Sequence, residues 1–232
     1  QAVPGVIASA FGYQGQKCSA CSRVIVHRDV YEIFLDRLAS AAGSLPIGPP
    51  EDPYYAVGPL IDAQAVTKAR EYIALARESG RIVFEAPVPD DCGKGHYIGP
   101  VIVADVDPAS RLAQEEIFGP VLCVLRAEDF DDAVRIANSV PYGLTAGLYS
   151  RHPDRIRAAR RRIETGNIYI NRKITGAVVD RQPFGGVKLS GIGSKAGGPD
   201  YLLQFMRPVA FTEWTVRRGF APGMAAESGP SW

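Results

Sequence analysis

Residues 121–149 read VLCVLRAEDFDDAVRIANSVPYGLTAGLY, and this stretch decides the fold. It opens with an apolar run at residues 121–126 that is typical of a buried strand. Residues 130–138 then predict a helix, and residues 145–149 predict a second strand. Two strands separated by a helix of this length need a crossover connection, and crossover connections join parallel strands. The stretch therefore predicts a parallel sheet covered by helices.

The same alternation of strand and helix runs through the rest of the chain. Short apolar runs predict further strands at residues 23–27, 81–86, 98–106 and 167–171. Apolar residues at helical spacing predict helices after Asp29, after Asp62 and at residues 153–165. The two aspartates are expected to cap their helices. The sequence therefore predicts an α/β fold with a mainly parallel, twisted sheet and helices on both faces.

The apolar spacing also predicts which helix faces are buried. In the helix after Asp29 the expected face consists of Val30, Phe34, Leu38 and Ala42. In the helix after Asp62 it consists of Val66, Ala69, Ile73 and Ala76. Between these two helices the proline-rich residues 45–62 predict a long, stiff loop.

The end of the chain differs from the rest. Residues 208–215 alternate enough to form a strand, and Pro208 at its start favours a sheet edge or an intersubunit sheet. Residues 221–232 are small and polar, which predicts disorder. We therefore expect three parts: a catalytic domain at residues 1–207, an oligomerisation strand at residues 208–220 and a disordered tail at residues 221–232.

Composition and charge exclude several classes of protein. The 232 residues are 46% hydrophobic and 22% charged, as in globular proteins and unlike disordered or fibrous ones. The net charge is +1, so no bulk field recruits nucleic acid or a membrane surface. Six arginines at residues 151–162 fit the solvated side of a helix better than an anion-binding patch. No apolar run approaches the roughly 18 residues of a membrane span.

The four cysteines indicate a reducing compartment. Cys18, Cys21, Cys92 and Cys123 are too few for a disulfide scaffold in a chain of this length, so reduced thiols are expected. Residues 1–16, QAVPGVIASAFGYQGQ, lack the basic start and the long apolar stretch of a signal peptide. We therefore expect a cytoplasmic location.

Cys18 lies in the segment FGYQGQKCSACS, residues 11–22, which is crowded with glycine and small polar residues. A neighbouring ammonium such as that of Lys17, or backbone N–H groups at a turn, would favour a nucleophilic thiolate. Alternatively, both Cys18 and Cys21 are small buried hydrophobic side chains. A dithiol role has little support because the pair precedes a strand instead of opening a helix, and a zinc site would need a second close pair.

Two further segments carry candidate binding residues. Residues 114–121, QEEIFGPV, place two carboxylates before an aromatic residue and a turn, which could hold a ribose and pack on a flat ring. The alternative is a helix end with solvated glutamates. Residues 171–191, NRKITGAVVDRQPFGGVKLSG, are rich in glycines, whose N–H groups can converge on an anion. Ordinary turns are the alternative, and the phosphate-binding glycine motifs are absent.

Four segments resemble, in order and spacing, the catalytic half of the aldehyde dehydrogenase superfamily. They are GQKCS at 15–19, QEEIFGPV at 114–121, NSVPYGLTAGLYS at 138–150 and QPFGGVKLSG at 182–191. Within the superfamily, QGQKCSACSR, NRKITGA and SKAGGPDYLLQF are similar to the 1-pyrroline-5-carboxylate dehydrogenases, which oxidise glutamate γ-semialdehyde in proline catabolism.

The resemblance implies a role for each matching residue. Cys18 would be the nucleophile, forming a thiohemiacetal that passes hydride to a nicotinamide and leaves a thioester for hydrolysis. Its backbone N–H would help to hold the oxyanion. Glu116 would hold the nicotinamide ribose, and Phe118 would lie beside the nicotinamide. The substrate-binding residues would be Lys17, Ser19, Gly176, Ala177 and Phe184.

The resemblance also implies a cofactor and partners. The cofactor would be NAD, with NADP as the alternative, and the substrate a small aldehyde. No metal is implied. The chain would belong to a homo-oligomer or to a bifunctional proline-utilisation protein. Most of the family's cofactor domain precedes the nucleophile, so we expect a fragment with little activity alone. The alternatives are a dehydrogenase for another aldehyde and a non-catalytic truncated scaffold.

Overall fold

The computed structural model describes residues 1–92, 94–178 and 180–214. At its centre lies a four-stranded sheet in the order β1-β4-β3-β2. Its strands are β1 (Arg23–His27), β2 (Arg81–Glu85), β3 (Val101–Ala104) and β4 (Val121–Ala127). β4 runs parallel to both β1 and β3, and β2 is antiparallel at the edge. The predicted α/β class with a mainly parallel sheet is confirmed.

The described residues contain six α-helices. They are α1 (Ala2–Ala10), α2 (Tyr31–Gly43), α3 (Ala63–Ser79), α4 (Arg111–Gln114), α5 (Phe130–Asn138) and α6 (Pro153–Arg162). Helices cover both faces, as predicted. One face of the sheet packs against α3, through side chains such as Val103 and Leu125. The other face packs against α1 and α2, through Ile102 and Leu122.

The remaining strands form two small sheets of their own. β6 (Thr145–Leu148) pairs in parallel with β7 (Asn167–Ile170), and β5 (Tyr142–Gly143) pairs antiparallel with β8 (Val187–Lys188). In the described part of the chain β1 pairs with β4 alone and β6 with β7 alone. One edge of β1 and one edge of β6 therefore carry backbone groups without a strand partner.

The capping prediction is right for one helix and wrong for the other. The Asp62 carboxylate accepts a hydrogen bond from the Ala65 N–H at 2.7 Å and caps α3. Asp29 caps nothing, because a short 3-10 turn (Arg28–Val30) precedes α2 and the helix begins at Tyr31. Within that turn the Asp29 N–H donates to His27 Nδ1 instead.

The buried face was predicted fully for α3 and only in part for α2. In α3 the predicted residues Val66, Ala69, Ile73 and Ala76 are all buried, together with Tyr72. In α2 the buried residues are Tyr31, Leu35, Leu38 and Ala42. The predicted face was therefore wrong at Val30, which precedes α2 and is 49% exposed, whereas Phe34 is partly buried and packs against the same core. The Tyr31 hydroxyl, at the start of α2, reaches under the sheet to the Val124 carbonyl at 3.2 Å.

Several element bounds are shorter than predicted. The strand expected at residues 98–106 covers Val101–Ala104 and ends before Asp105, which has a φ of 57°. The Pro100 carbonyl before it still accepts a hydrogen bond from the Ala86 N–H at 2.9 Å. The helix expected at residues 153–165 ends at Arg162. Helix α1 was not predicted, and a 3-10 turn (Gly12–Gly15) follows it.

The predicted strand at residues 208–215 is not present in the single chain. The described residues 208–214 lie outside any strand and are exposed, and a 3-10 turn (Leu202–Phe205) precedes them. An intersubunit strand would pair only with a partner subunit, so that role stays a prediction. Residue 215 and the predicted disordered tail at 221–232 lie outside the described residues.

Candidate active site

Cys18 lies at the surface in a tight turn between α1 and β1. The chain leaves α1 through three consecutive residues in the left-handed region: Tyr13, Gln14 and Gly15, with φ of 55°, 57° and 71°. Non-glycine residues rarely adopt this conformation, and strain of this kind concentrates at functional sites. The Ala20 N–H then closes the turn onto the Lys17 carbonyl at 3.0 Å. Within the described residues the Cys18 N–H has no acceptor.

The other cysteines lie in different surroundings. Burial raises the pKa of the Cys21 thiol to about 12, and it does the same for Cys123. Cys92 is buried, and burial raises the pKa of its thiol as well. All four cysteines are free. A raised pKa suppresses the thiolate, so Cys18 is the exposed thiol best placed to react.

Gly15 lies in the turn that carries Cys18 (residues 13–21), here called the cysteine turn, and brings it against a second loop at residues 115–119. A Cβ added to Gly15 would lie 2.3 Å from the Gly119 carbonyl oxygen, closer than any side chain allows. The two backbones can therefore approach only because Gly15 has no side chain. Phe118, next to Gly119, has a φ of 59° and is 43% exposed. The strained turn before Cys18 thus lies against the loop that carries Glu115, Glu116 and the strained Phe118.

The two adjacent glutamates of that loop have different surroundings. Glu115 accepts two hydrogen bonds from Arg111, both at 3.0 Å, and a third from the Tyr72 hydroxyl at 2.5 Å. The hydrogen bonds from Arg111, followed by that from Tyr72, lower the pKa of the Glu115 carboxyl to about 2. The Glu116 side chain is exposed and accepts no hydrogen bond within the described residues, although Lys68 binds its backbone carbonyl at 2.7 Å.

A cavity of about 680 Å³ brings several of the predicted residues together. It is bounded by β1 on one side and by β6 on another, and its lining includes Lys17, Cys18, Glu116 and Phe118. The Lys17 ammonium lies 4.0 Å from the centre of the Tyr13 ring. The nucleophile candidate and both cofactor candidates therefore face one cavity.

Four predicted substrate-binding residues lie outside the lining of this cavity. Ser19 follows Cys18 in the same turn, whereas Gly176 and Ala177 belong to the loop after β7, with Gly176 at a φ of 80°. The N–H groups of Gly176 and Ala177 have no acceptor within the described residues, so both are available to a ligand. Arg172 and Ile174 of the same loop do line the cavity.

Phe184 is held in a separate loop. It exchanges two backbone hydrogen bonds with Ala196, at 3.0 and 3.1 Å. On either side of it, the Asn167 side chain binds the Pro183 carbonyl at 2.9 Å and the Gly185 N–H at 3.3 Å. Part of the glycine-rich segment is therefore ordinary turn structure, as one of the alternatives expected.

Sequence reasoning missed Ser9, which connects the two loops. It is a buried residue of α1, and its backbone and hydroxyl bind the cysteine turn and the loop after β7. The only signal is a serine between alanines in an apolar helix. Missed as well was Gly5, where an added Cβ would lie 1.7 Å from the Tyr149 hydroxyl that borders the cavity.

Neither a metal cluster nor a membrane helix is found where the structure is described. Residues 1–92, 94–178 and 180–214 contain no group of three or more His, Cys, Asp or Glu side chains that could hold a metal ion. In those same residues no helix has the length and apolarity needed to cross a membrane.

Comparison with known proteins relates these loops to enzymes. The aldehyde dehydrogenase family model matches residues 1–210. The 1-pyrroline-5-carboxylate dehydrogenase of Geobacillus sp. (strain WCH70) is 46% identical over 212 residues, which cover 91% of this chain and 41% of that protein. The chain thus spans about two-fifths of the curated relatives it matches.

Two solved structures are similar over most of the chain. Proline utilization A from Bdellovibrio bacteriovorus superposes with a TM-score of 0.87 at 52% identity, over 95% of this chain and 23% of that one. The 1-pyrroline-5-carboxylate dehydrogenase from Thermus, solved with bound NAD, superposes with a TM-score of 0.83 at 46% identity, over 88% of this chain and 39% of that one.

Proposed function

The chain belongs to the aldehyde dehydrogenase family, and we propose that it is the nucleophile-bearing part of a 1-pyrroline-5-carboxylate dehydrogenase. The complete enzyme would oxidise L-glutamate γ-semialdehyde to glutamate with NAD, or with NADP, in the cytoplasm. One observation carries the proposal: the exposed Cys18, whose backbone N–H has no acceptor among the described residues, faces the same cavity as Glu116 and Phe118.

Cys18 supplies the nucleophile. Its thiolate adds to the aldehyde carbon, which forms a C–S bond and turns the aldehyde oxygen into an oxyanion. The N–H of Cys18, which binds no acceptor in the described part of the chain, is available to donate to that oxyanion. Loss of the aldehyde hydrogen with its electron pair yields a thioester, and water then cleaves the C–S bond. The net change is aldehyde, water and oxidised cofactor to carboxylate, reduced cofactor and two protons.

Glu116 and Phe118 fit a nicotinamide cofactor. The Glu116 carboxylate is exposed and accepts no hydrogen bond from the described residues, so it is free to accept hydrogen bonds from the hydroxyls of a ribose. Phe118 is 43% exposed, and its own backbone has a φ of 59°. When bound, the dinucleotide supplies the two-electron oxidant of the reaction.

The substrate carboxylate would bind on the loop after β7. Gly176 and Ala177 offer two N–H groups without acceptors in the described structure, and glycine leaves room for a ligand to approach the backbone. The Ser19 hydroxyl and the Lys17 ammonium would add a hydrogen bond and a positive charge. Phe184 would line the path of the aldehyde. We further propose that the complete protein is a homo-oligomer or a bifunctional proline-utilisation protein.

A labelling experiment tests the substrate. A complete enzyme is made by replacing the matching 39% of the Thermus relative with this chain, and we call it the fused enzyme. We expect iodoacetamide at neutral pH to alkylate Cys18 much faster than Cys21, Cys92 or Cys123, and L-glutamate to slow the reaction at Cys18. D-glutamate serves as the matched control.

Two other results would support the alternatives. Rapid alkylation of Cys18 without protection by L-glutamate would indicate a dehydrogenase for another aldehyde. Equally slow alkylation of Cys18 and Cys21 would indicate a non-catalytic scaffold that retains the fold. Either result would refute the proposed function.

A further inference from the structure

Ser9 lies at the junction of the two loops that the proposed function uses. Its side chain projects from α1 into the interior, and the residue is only 2% exposed. The Ser9 carbonyl accepts a hydrogen bond from the Cys21 N–H at 3.0 Å. The Ser9 hydroxyl accepts one from the Ile174 N–H at 3.1 Å and donates one to the Gly5 carbonyl at 2.7 Å. One buried residue therefore holds both loops.

On one side Ser9 holds the turn that carries the nucleophile. Cys21 follows Cys18 by three residues. The turn at residues 17–20, which contains Cys18, is closed by the hydrogen bond from the Ala20 N–H to the Lys17 carbonyl. The bond from Cys21 uses the Ser9 backbone carbonyl. A change of the Ser9 side chain therefore leaves this contact in place.

On the other side Ser9 holds the loop that carries Gly176 and Ala177. The start of this loop is fixed by the Asn171 side chain, which binds the N–H and the carbonyl of Ser150, both at 2.9 Å. Ile174 is the last residue before Gly176 whose N–H binds another part of the molecule. After Ala177 the Val178 N–H donates to the Gln182 side chain at 3.1 Å. Among the described residues, Ser9 alone joins this loop to the cysteine turn through hydrogen bonds.

Only a hydroxyl suits this position. A serine hydroxyl donates one hydrogen bond and accepts another, which matches the Gly5 carbonyl and the Ile174 N–H. Alanine would leave the Ile174 N–H without its acceptor, and an unpaired buried donor is costly. The loop would then lose the bond nearest to Gly176.

We propose that Ser9 is a positioning residue that sets the distance between the Cys18 thiol and the carboxylate anchor at Gly176 and Ala177. Through this distance it would select aldehydes whose carboxylate is separated from the carbonyl by the length of glutamate γ-semialdehyde. The inference rests on the proposed function, because it concerns the spacing of the same two groups.

Steady-state kinetics of the fused enzyme test this role. We expect Ser9→Ala to raise KM for the semialdehyde about tenfold, which corresponds to about 1.4 kcal/mol of binding free energy, and to change kcat less than about twofold. The alkylation rate of Cys18 should stay unchanged, while protection requires about ten times more L-glutamate. Ser9→Thr, which keeps the hydroxyl, should restore most of the wild-type KM.

Ser79→Ala is the matched control. Like Ser9, Ser79 donates from its hydroxyl to the carbonyl four residues earlier, here Leu75 at 2.7 Å, but it holds no second loop. KM and kcat should therefore match those of the wild type. If Ser9→Ala does not fold, Ser9→Cys keeps a weak hydrogen-bonding group and should raise KM several-fold.

The outcomes separate this inference from the proposed function. A wild-type fused enzyme without semialdehyde oxidation refutes the proposed function, and the positioning role with it. An active wild type with an unchanged KM in Ser9→Ala and Ser9→Cys overturns the positioning role alone. So does a parallel loss of kcat and Cys18 alkylation, which would assign Ser9 to the cysteine turn only.

Discussion

Glu115 and Glu116 are adjacent and chemically identical, yet they have different surroundings. Glu115 is held by Arg111 and Tyr72, whereas Glu116 has no side-chain partner within the described residues. The segment QEEIFGPV alone could not separate them. Their difference depends on Arg111, which lies four residues before Glu115, and on Tyr72, which lies 43 residues before it.

Substitution by glutamine should therefore affect stability at Glu115 and cofactor binding at Glu116. Glu115→Gln should lower the melting temperature at neutral pH, because it weakens the contacts to Arg111 and Tyr72. Glu116→Gln should leave the melting temperature unchanged and raise KM for NAD in the fused enzyme. A melting curve and a cofactor titration of both variants provide the measurements, and equal destabilisation by the two would contradict this assignment.

The stabilisation by Glu115 should depend on pH in a defined direction. Its pKa in the folded state, about 2, lies below the ordinary value of 4.5. The ion pair therefore contributes fully above the ordinary value and is lost as pH falls towards the folded one. The difference in melting temperature between wild type and Glu115→Gln should shrink between about pH 5 and pH 2.

A methyl group added at Gly15 would push the cysteine turn away from the loop that contains Gly119. Gly15→Ala places a Cβ 2.3 Å from the Gly119 carbonyl at a φ of 71°, so we expect a loss of about 2 kcal/mol or more in the free energy of unfolding. Chemical denaturation measures this loss.

Two other glycines serve as controls for that substitution. Gly197 has a φ of 74° and open space around it, so Gly197→Ala should cost only about 1 kcal/mol. Gly12 has open space and no positive φ, and Gly12→Ala should change stability by less than about 0.5 kcal/mol. If all three substitutions cost the same, the approach to Gly119 is not what requires Gly15.

At the scale of elements, helix α3 is the part of the fold that the sequence predicted best. Its cap and its buried face both follow from local pattern, because Asp62 binds the N–H three residues ahead and the apolar residues repeat with helical spacing. Asp62→Ala should lower the free energy of unfolding by about 1 kcal/mol, as measured by denaturation.

Asp36 offers the matched control for this cap. It is exposed inside α2 and makes no hydrogen bond within the described part of the chain. Asp36→Ala should be neutral or slightly stabilising, since alanine is the better helix former. A loss equal to that of Asp62→Ala would show that the cap contributes nothing specific.

Helix α1 was not predicted because its local signals oppose a helix. Its sequence AVPGVIASA contains a proline and a glycine, which are the weakest helix formers. Burial of Val6, Ile7 and Ala10 against α2 outweighs these propensities. Helix α2 shows the same effect, because it begins at Tyr31, whose hydroxyl makes a buried long-range contact with the Val124 carbonyl, and Val30 is left outside the helix.

At the scale of the whole molecule, the sequence predicted candidate site residues, and it could not predict which of them lie on one cavity. Motifs identified Cys18, Glu116 and Phe118, and the structure has all three on one cavity. Gly176, Ala177 and Phe184 lie on other loops, and their separation from the cavity depends on contacts between distant parts of the chain. The role of Ser9 has the same origin, since Ile174 lies 165 residues away from it.

The cavity also borders two open strand edges in the described structure. β1 and β6 each carry an edge without a strand partner in the described structure, and both border the cavity. The relatives contain more than twice the length of this chain. The chain alone should therefore show little or no aldehyde-dependent NAD reduction, measured by absorbance, and the fused enzyme should show it. Robust turnover by the chain alone would contradict this expectation.

The role of Cys18 is tested most directly by semialdehyde-dependent NAD reduction in three fused enzymes: wild type, Cys18→Ala and Cys21→Ala. Both cysteines lie in the same turn and differ in exposure, so the second variant controls for disturbance of the loop. We predict that Cys18→Ala abolishes the reaction while Cys21→Ala retains most of it. Normal oxidation by Cys18→Ala would contradict the assignment of Cys18 as the nucleophile.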